Sequence, residues 1–204
     1  MSKVKSFGMR NFFAFCIGMA LIGASGFAQA QPAAPHRDAP PLAKAETRLD
    51  TLFGALKRER NEKAAERIAA RIQEQWNKSG SASIDLMMQW SQKAIHAQKF
   101  DVALDFLDEV VTLDPNYVEG WNRRATVHFL MQNYRKSMAD IDRVLQLEPR
   151  HFGALAGMAQ ILEMTGRKQL ALQAWQKVLD LYPMQRSAQE KVSKLSEELA
   201  GEAI

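Results

Sequence analysis

Cysteine is almost missing from this chain of 204 residues, since Cys16 is the single copy and lies in an apolar stretch near the amino terminus. Residues 17–204 therefore contain no thiol that could form a disulfide, a nucleophile or a cysteine-based metal site. Histidine is scarce as well, and its four copies are scattered: His36, His96, His128 and His151. A metal site needs at least three converging ligands. The sequence predicts neither a metal site nor a cofactor.

Catalytic motifs are also lacking. There is no glycine-rich phosphate loop, no G-x-S-x-G, no H-E-x-x-H and no pair of histidines four residues apart on a helix. Charge of one sign is not concentrated either. Residues 1–30 hold three of the 27 basic residues and none of the 23 acidic ones, which leaves 24 against 23 in the rest. We predict a protein that is not an enzyme and does not bind nucleic acid.

Residues 1–30 have the three-part pattern of a secretory signal peptide. Basic residues precede the apolar run 12–22, and a small-x-small sequence at 28–30 ends the segment. We predict cleavage between Ala30 and Gln31, and a periplasmic mature protein without further membrane insertion. A membrane anchor is the weaker alternative, because the apolar run is shorter than the roughly 20 residues of a spanning helix.

Residues 31–42 follow as a predicted linker. Four of the seven prolines of the chain lie there: Pro32, Pro35, Pro40 and Pro41. Proline at this density favours a stiff, extended segment outside any core.

The other three prolines mark an internal repeat. Pro115, Pro149 and Pro183 are spaced by 34 residues, and they close the similar segments VVTLDP, VLQLEP and VLDLYP. A 34-residue period that ends in proline is typical of a helix-turn-helix unit that stacks on its neighbours in a solenoid. The predicted repeats are 84–117, 118–151 and 152–185.

Each repeat carries apolar stripes at helical spacing. The stripes of the first helices are Met87, Trp90, Ser91 and Ala94; Trp121, Arg124, Ala125 and His128; and Leu155, Met158, Ala159 and Leu162. The second helices place the small residues Ala103, Ser137 and Ala171 where two helices approach most closely. Together with the prolines, these residues resemble the tetratricopeptide-repeat (TPR) family. The resemblance implies an all-α TPR helical-hairpin solenoid that binds other proteins.

Both flanks of the repeats are predicted to be helical. Residues 43–83 are predicted to form a degenerate helical hairpin, which we interpret as a repeat that covers the exposed end of the stack. Residues 186–204 are predicted to form a capping helix and tail. The apolar face of that helix comprises Ala188, Val192, Leu195 and Leu199.

In TPR proteins the first helices line a concave groove, and the resemblance implies that a protein or peptide partner binds there. The predicted binding residues lie outside the packing stripes: Asp85, Met88, Gln92, Glu119, Asn122, Arg123, Thr126, Phe129, Gln160 and Glu163. Such a mixed surface suits an extended peptide or a helix. Asn122 and Arg123 are expected to contribute little to the core. The family's carboxylate clamp for chaperone tails is not expected, because its positions hold other residues: Met88, Gln92, Arg123, Gly153 and Gly157.

Three features have two interpretations each. Arg124 either pairs with a local acid such as Glu119 or Asp140, or binds a carboxylate of the partner. The small residues 153–157 either allow close helix packing, which we favour, or widen the groove. His128 is expected to be a buried, hydrogen-bonded core residue and not a ligand-binding one.

The sequence as a whole predicts an exported adaptor that holds a peptide segment of an envelope protein in its groove. A chaperone-like assembly factor with several clients is the first alternative, and a self-associating structural protein is the second. The identity of the partner and the oligomeric state stay open.

Overall fold

The computed structural model describes residues 41–202, with side chains from 48 to 201, so the predicted signal peptide and almost all of the predicted linker lie outside the described residues. Within this range the chain forms helices and no strand. The helices are α1 (Pro41–Arg58), α2 (Glu62–Trp76), α3 (Ala82–His96), α4 (Phe100–Leu113), α5 (Val118–Leu130), α6 (Tyr134–Leu147), α7 (Phe152–Met164), α8 (Lys168–Leu181) and α9 (Arg186–Glu202). None of these described helices is both long and apolar enough to cross a bilayer.

Helices α3 to α8 stack as three successive hairpins, which confirms the predicted solenoid. The turn inside each hairpin places one residue in the left-handed region at the same position of the 34-residue period: Gln98, Gln132 and Gly166, with φ of 57°, 58° and 76°. The next backbone N–H donates to a carbonyl five residues earlier, for example Asn133 N to His128 O at 2.8 Å. This is the Schellman arrangement that ends a helix.

Small residues bring the two helices of each hairpin together. Ala103, Ser137 and Ala171 are all buried, and the Ser137 hydroxyl donates to Ala125 O across the hairpin at 2.8 Å. In the first repeat the predicted stripe needs a correction. Met88 belongs to the core there and Trp90 is 41% exposed, because Trp90 lies on the side of α3 that a preceding repeat would cover.

The amino-terminal hairpin does not cover that side, which corrects the predicted position of residues 43–83. Buried residues of α1 and α2, such as Leu56 and Ile72, share a core with α7, α8 and α9. No described residue of α1 or α2 belongs to the core of the first repeat. The hairpin lies instead along the junction edge, by which we mean the turns that follow each repeat: 114–117, 148–151 and 182–185.

Aromatic stacking and ion pairs fix the hairpin on the junction edge. The Trp76 ring stacks on His151 with centroids 4.1 Å apart. Arg150 pairs with Asp50 of α1 and lies over the Phe53 ring at 4.4 Å. At the junction after the first repeat, the Tyr117 hydroxyl donates to Asn77 O at 3.0 Å. The hairpin is thus bound to two consecutive junctions.

The carboxyl-terminal end of the stack is capped as predicted. Ala188 and Leu195 are buried against the third repeat, and Val192 and Leu199 are partly buried there. Helix α9 packs on α8 over much of its length. The last repeat therefore exposes little of its apolar side, as a solenoid end requires.

We expect Leu195→Ala to lower the free energy of unfolding by about 2–5 kcal/mol, because Leu195 is 1% exposed and the change leaves a cavity under the cap. Urea denaturation followed by circular dichroism measures the change. Leu170→Ala is the matched control, since Leu170 is 49% exposed on α8 and its truncation should change stability by less than about 0.5 kcal/mol. Equal losses in the two variants would contradict the capping role of α9.

Candidate functional site

The first helices of the three hairpins form the concave groove, and its centre holds a pocket between α5 and α7. The pocket has a volume of about 190 Å³. Four predicted binding residues line it: Asn122, Thr126, Phe129 and Gln160. Its other walls come from α5, α6 and α7: Ala125, Ser137, Ile141, Gly153, Ala154, Ala156 and Gly157. No lining residue carries a charge.

Gly157 keeps this pocket open. A Cβ atom on Gly157 would meet only Ile141 Cδ1, at an ordinary contact distance of 3.5 Å. A Cβ atom on Gly153 would lie 3.3 Å from Cε1 of the His151 ring. Close helix packing therefore does not require glycine at position 157, where the missing side chain widens the groove. Ala154 is buried, and a Cβ on Gly153 would be closer than ordinary contact, so close packing still applies to that part of the segment.

A second hollow lies beside α3 and has a volume of about 480 Å³. Asp85, Gln92 and Arg123, three of the predicted binding residues, line it together with Lys93. Met88 also borders it but is 5% exposed and belongs to the first repeat's core, so its role as an open binding residue is corrected.

A third hollow lies between α7 and α9, with Phe129, Gln160 and Glu163 in its lining. Lys191 of α9 completes it, and its ammonium group bonds both carboxylate oxygens of Glu163 at 2.8 and 3.0 Å. The sequence reasoning missed Lys191, because that residue lies outside the repeats and away from the apolar face of α9. Its position in the groove follows from the packing of α9 alone.

Glu119 is the clearest departure from the predicted site. The residue is 2% exposed and lies under the amino-terminal hairpin. The carboxylate accepts hydrogen bonds from Gln73 of α2, from Asn122 at 3.0 Å and from His151 Nε2 at 3.0 Å. Glu119 is therefore an internal docking residue and does not face a partner.

His151 connects this carboxylate to the start of α7. Its Nδ1 accepts the backbone N–H of Ala154 at 3.0 Å, so the ring proton is on Nε2, which donates to Glu119. His151 is completely buried. The sequence reasoning treated it as one of four scattered histidines, although its position just before a helix start was a signal for a cap.

The hydrogen bonds also set the charge of Glu119. Burial raises the pKa of the Glu119 carboxyl, but the hydrogen bonds from His151, Asn122 and Gln73 outweigh burial and hold the pKa below its ordinary value of 4.5. The carboxylate is therefore ionised near neutral pH and accepts all these bonds as an anion.

Asn122 and Arg123 contribute more to the fold than predicted. Asn122 orients Glu119, and the Arg123 guanidinium donates to Met88 O of the preceding repeat at 3.0 Å. Replacing both with alanine should lower stability as well as change the groove. This corrects the expectation that they have little share in the core.

Of the two interpretations of Arg124, the structure supports pairing with a local acid. Its guanidinium donates to both Asp140 oxygens, at 2.9 and 2.7 Å, and to Asp108 at 2.8 Å. It also lies over the Trp121 ring at 4.7 Å. Asp140 is one of the two local acids that we expected to pair with Arg124. The other, Glu119, bonds Gln73, Asn122 and His151 instead. The hydrogen bonds to Asp140 raise the pKa of the guanidinium against the effect of burial.

His128 is buried as expected, but its Nδ1 has no hydrogen-bond partner in the described part of the chain. Burial lowers the pKa of this imidazole, so the ring stays neutral near neutral pH. The prediction that His128 is buried is therefore confirmed, and the prediction that it is hydrogen-bonded is wrong for Nδ1.

A stack of helical hairpins with a pocketed concave groove defines the class as a helical-repeat protein. No protein-family model matches the chain. A TPR repeat-containing protein of Rhizobium etli is 58% identical over 154 residues, which are 76% of each chain. The chain therefore belongs to the TPR repeat-containing proteins. Small glutamine-rich tetratricopeptide repeat-containing protein 2 of Saccharomyces cerevisiae is 25% identical over 117 residues, and the match spans 34% of that protein.

Solved structures share the fold. The first TPR domain of Spaghetti, bound to the HSP90 peptide SRMEEVD, has a TM-score of 0.56 and 20% identity over 59% of this chain and 95% of that one. A double mutant of MamA has a TM-score of 0.54 and 23% identity over 59% of this chain and 69% of that one. At these identities the likeness shows the fold alone.

The hydrogen-bonded cluster of Glu119, Gln73, Asn122 and His151 should make the free energy of unfolding depend on pH in the acid range. A carboxyl whose pKa is lower in the folded state adds stability above its unfolded pKa and loses that stability as the pH falls through its folded pKa. For Glu119 this loss occurs below pH 4.5. We expect Glu119→Gln to remove about 1.5–3 kcal/mol near neutral pH and to flatten the acid side of the stability profile.

Urea denaturation of both proteins from about pH 3 to pH 7 measures this, because the difference between the two profiles isolates Glu119 from the other carboxyls. Profiles that differ by a constant amount over the whole range would show that Glu119 does not titrate with folding.

Proposed function

We propose that the protein is a non-enzymatic adaptor of the bacterial envelope, which holds an extended peptide segment of another envelope protein in its concave groove. The pocket between α5 and α7 supports this proposal most directly. It lies at the middle of the groove, and the absence of a side chain at Gly157 keeps it open although the helix would tolerate a larger residue there.

The size and lining of the pocket favour an apolar anchor residue in the peptide. An apolar cavity of about 150 Å³ holds benzene, so 190 Å³ is sufficient for one large aliphatic or aromatic side chain. Ala125, Ile141 and Ala156 supply apolar walls. Gln160 lines the pocket and is exposed, so its amide is available to bond the backbone of a bound peptide.

Charge in the groove favours a different ligand from the acidic HSP90 peptide that Spaghetti binds. The central pocket has no charged lining residue. Two flanking cations already have partners in the protein, since Lys191 pairs with Glu163 and Arg123 donates to Met88 O. A segment with one apolar anchor and few charges fits this surface better than an acidic tail.

Gly157→Leu tests the pocket directly. The new side chain should fill the space between α5 and α7, and the loss of a helical glycine should keep or raise stability by up to about 1 kcal/mol. We expect the wild-type protein to enrich peptides with a large apolar residue from a random phage-displayed library. The Gly157→Leu variant should enrich none of them, and Gly157→Ala should retain part of the binding.

Gly201→Leu is the matched control, since a Cβ at Gly201 meets nothing within 4 Å and the residue lies on α9, outside the pocket lining. It should bind the selected peptides like the wild type. If Gly157→Leu binds them equally well, the groove pocket is not the binding site. Enrichment of many unrelated sequences by the wild type would instead favour a chaperone-like factor with several clients.

Export is a separate part of the proposal and rests on the pattern in residues 1–30. A fusion of residues 1–40 to a reporter that is active only outside the cytoplasm should be active. Amino-terminal sequencing of the mature protein should begin at Gln31. A membrane-bound product that retains Met1 would show that the segment is an anchor.

A further inference from the structure

The outward face of α2 carries a row of basic side chains. Lys63, Arg67 and Arg71 follow one another at intervals of four residues, so they lie on one side of the helix over about 12 Å. All three are exposed. We call them the basic stripe. The buried residues of α2, such as Ile72 and Trp76, lie on the opposite side, where the helix packs on the junction edge.

The cations of the basic stripe have no hydrogen bond or ion pair within residues 48–201. Two acids that are close in sequence are engaged elsewhere. Glu59 accepts the two backbone N–H groups that follow it, and these bonds, with a smaller effect of the Arg67 charge, hold the pKa of its carboxyl below the ordinary value. Glu74 pairs with Lys78 at 3.4 Å. The positive charge of the stripe is therefore available to an external anion.

The other acids of α2 lie on a different side of the helix. Glu62 pairs with Arg186 of α9 at 3.9 Å. Glu66 and Glu62 are also near Tyr182, since burial and then the charges of these carboxylates raise the pKa of its hydroxyl. Acids of α2 thus lie toward the third repeat and cations toward solvent. Three more exposed cations precede the stripe, at the turn between α1 and α2: Lys57, Arg58 and Arg60.

We propose that the basic stripe and these three cations of the turn bind the phosphate headgroups of an anionic phospholipid membrane, with α2 lying on the bilayer surface and not inserted. Each lysine or arginine near such a surface adds to the attraction, and a guanidinium bonds two phosphate oxygens at once. Because α2 packs on the repeats through its opposite side, membrane binding requires no change in the position of the hairpin. The inference does not rest on the proposed function of the groove.

The composition of this face favours a membrane over an acidic protein. Protein interfaces depend on buried aromatic or aliphatic anchors, and charged residues are depleted at their centres. The positions of α2 between and beside the stripe cations hold Ala64, Ala70 and Glu74 and no large apolar residue. Attraction to an anionic bilayer requires charge at the surface and no apolar anchor.

Co-sedimentation of the purified protein with lipid vesicles tests the proposal. The first vesicles contain about one third phosphatidylglycerol in phosphatidylcholine, and the second contain phosphatidylcholine alone. At about 50 mM salt the protein should bind the anionic vesicles at least about tenfold more strongly than the neutral ones. Salt screens exposed charges, so this preference should disappear at about 500 mM salt.

Charge reversal locates the binding surface. Arg67→Glu combined with Arg71→Glu should weaken binding to the anionic vesicles by more than about tenfold, because two attractions become two repulsions. Replacing the same two arginines with glutamine should cause a smaller loss. Arg135→Glu with Lys136→Glu is the matched control, since both residues are exposed on α6 and the net charge changes equally. This control should bind nearly like the wild type.

Equal binding of the wild type to both kinds of vesicle would overturn the proposal. Equal losses in the two charge-reversal variants, both with the circular dichroism spectrum of the wild type, would overturn it as well, because net charge and not the stripe would then decide binding. Soluble poly-glutamate is the probe for the other class of partner. Preference for poly-glutamate over the anionic vesicles would overturn the membrane in favour of an acidic protein.

Discussion

The buried carboxylate of Glu119 is the constraint on which the arrangement of this protein depends. An ionised carboxylate inside a protein is costly unless hydrogen bonds replace its water. Gln73 supplies one bond from α2, His151 supplies one from the junction of the second and third repeats, and Asn122 supplies one from the helix of Glu119 itself. These bonds form together only when α2 lies along the junction edge, so the burial of this charge acts with the shared apolar core and the Trp76–His151 stack to hold the hairpin there.

The position of the hairpin decides which parts of the solenoid remain open to partners. At the second repeat, Glu119 and Asn122 are engaged in docking, so they contribute less to recognition than their place on the first helix indicates. The centre of the groove has a different character, because Gly157 and Ala156 leave a pocket whose walls are apolar or polar but carry no charge. Under the proposed function, recognition depends on shape and apolar contact at α5 and α7 more than on ion pairing.

Periodic features could be predicted from the sequence because the same local packing requirement recurs in every repeat. Ala103, Ser137 and Ala171 recur at one position, since each hairpin needs a small residue where its helices approach. The position of α1 and α2 could not be predicted, because an amphipathic stripe shows that a face is buried without showing against what. The roles of Glu119 and His151 depend on that packing, so they were missed together. The burial of Met88 and the exposure of Trp90 were missed for a related reason, because the predicted packing stripe assumed that another repeat packs against α3.

One amino-terminal hairpin cannot both lie along the junction edge and cover the end of the stack. Trp76 is in contact with His151 and Phe152, far along the chain from α3, and the turn through Gly80, with φ of 78°, carries the chain directly into the first repeat. Every described apolar residue of α1 and α2 that is buried is used at the junction edge. Within residues 48–201 one stacking surface of the solenoid is therefore left uncovered, and Leu86 and Trp90 are exposed on it because α1 and α2 pack at the junction edge.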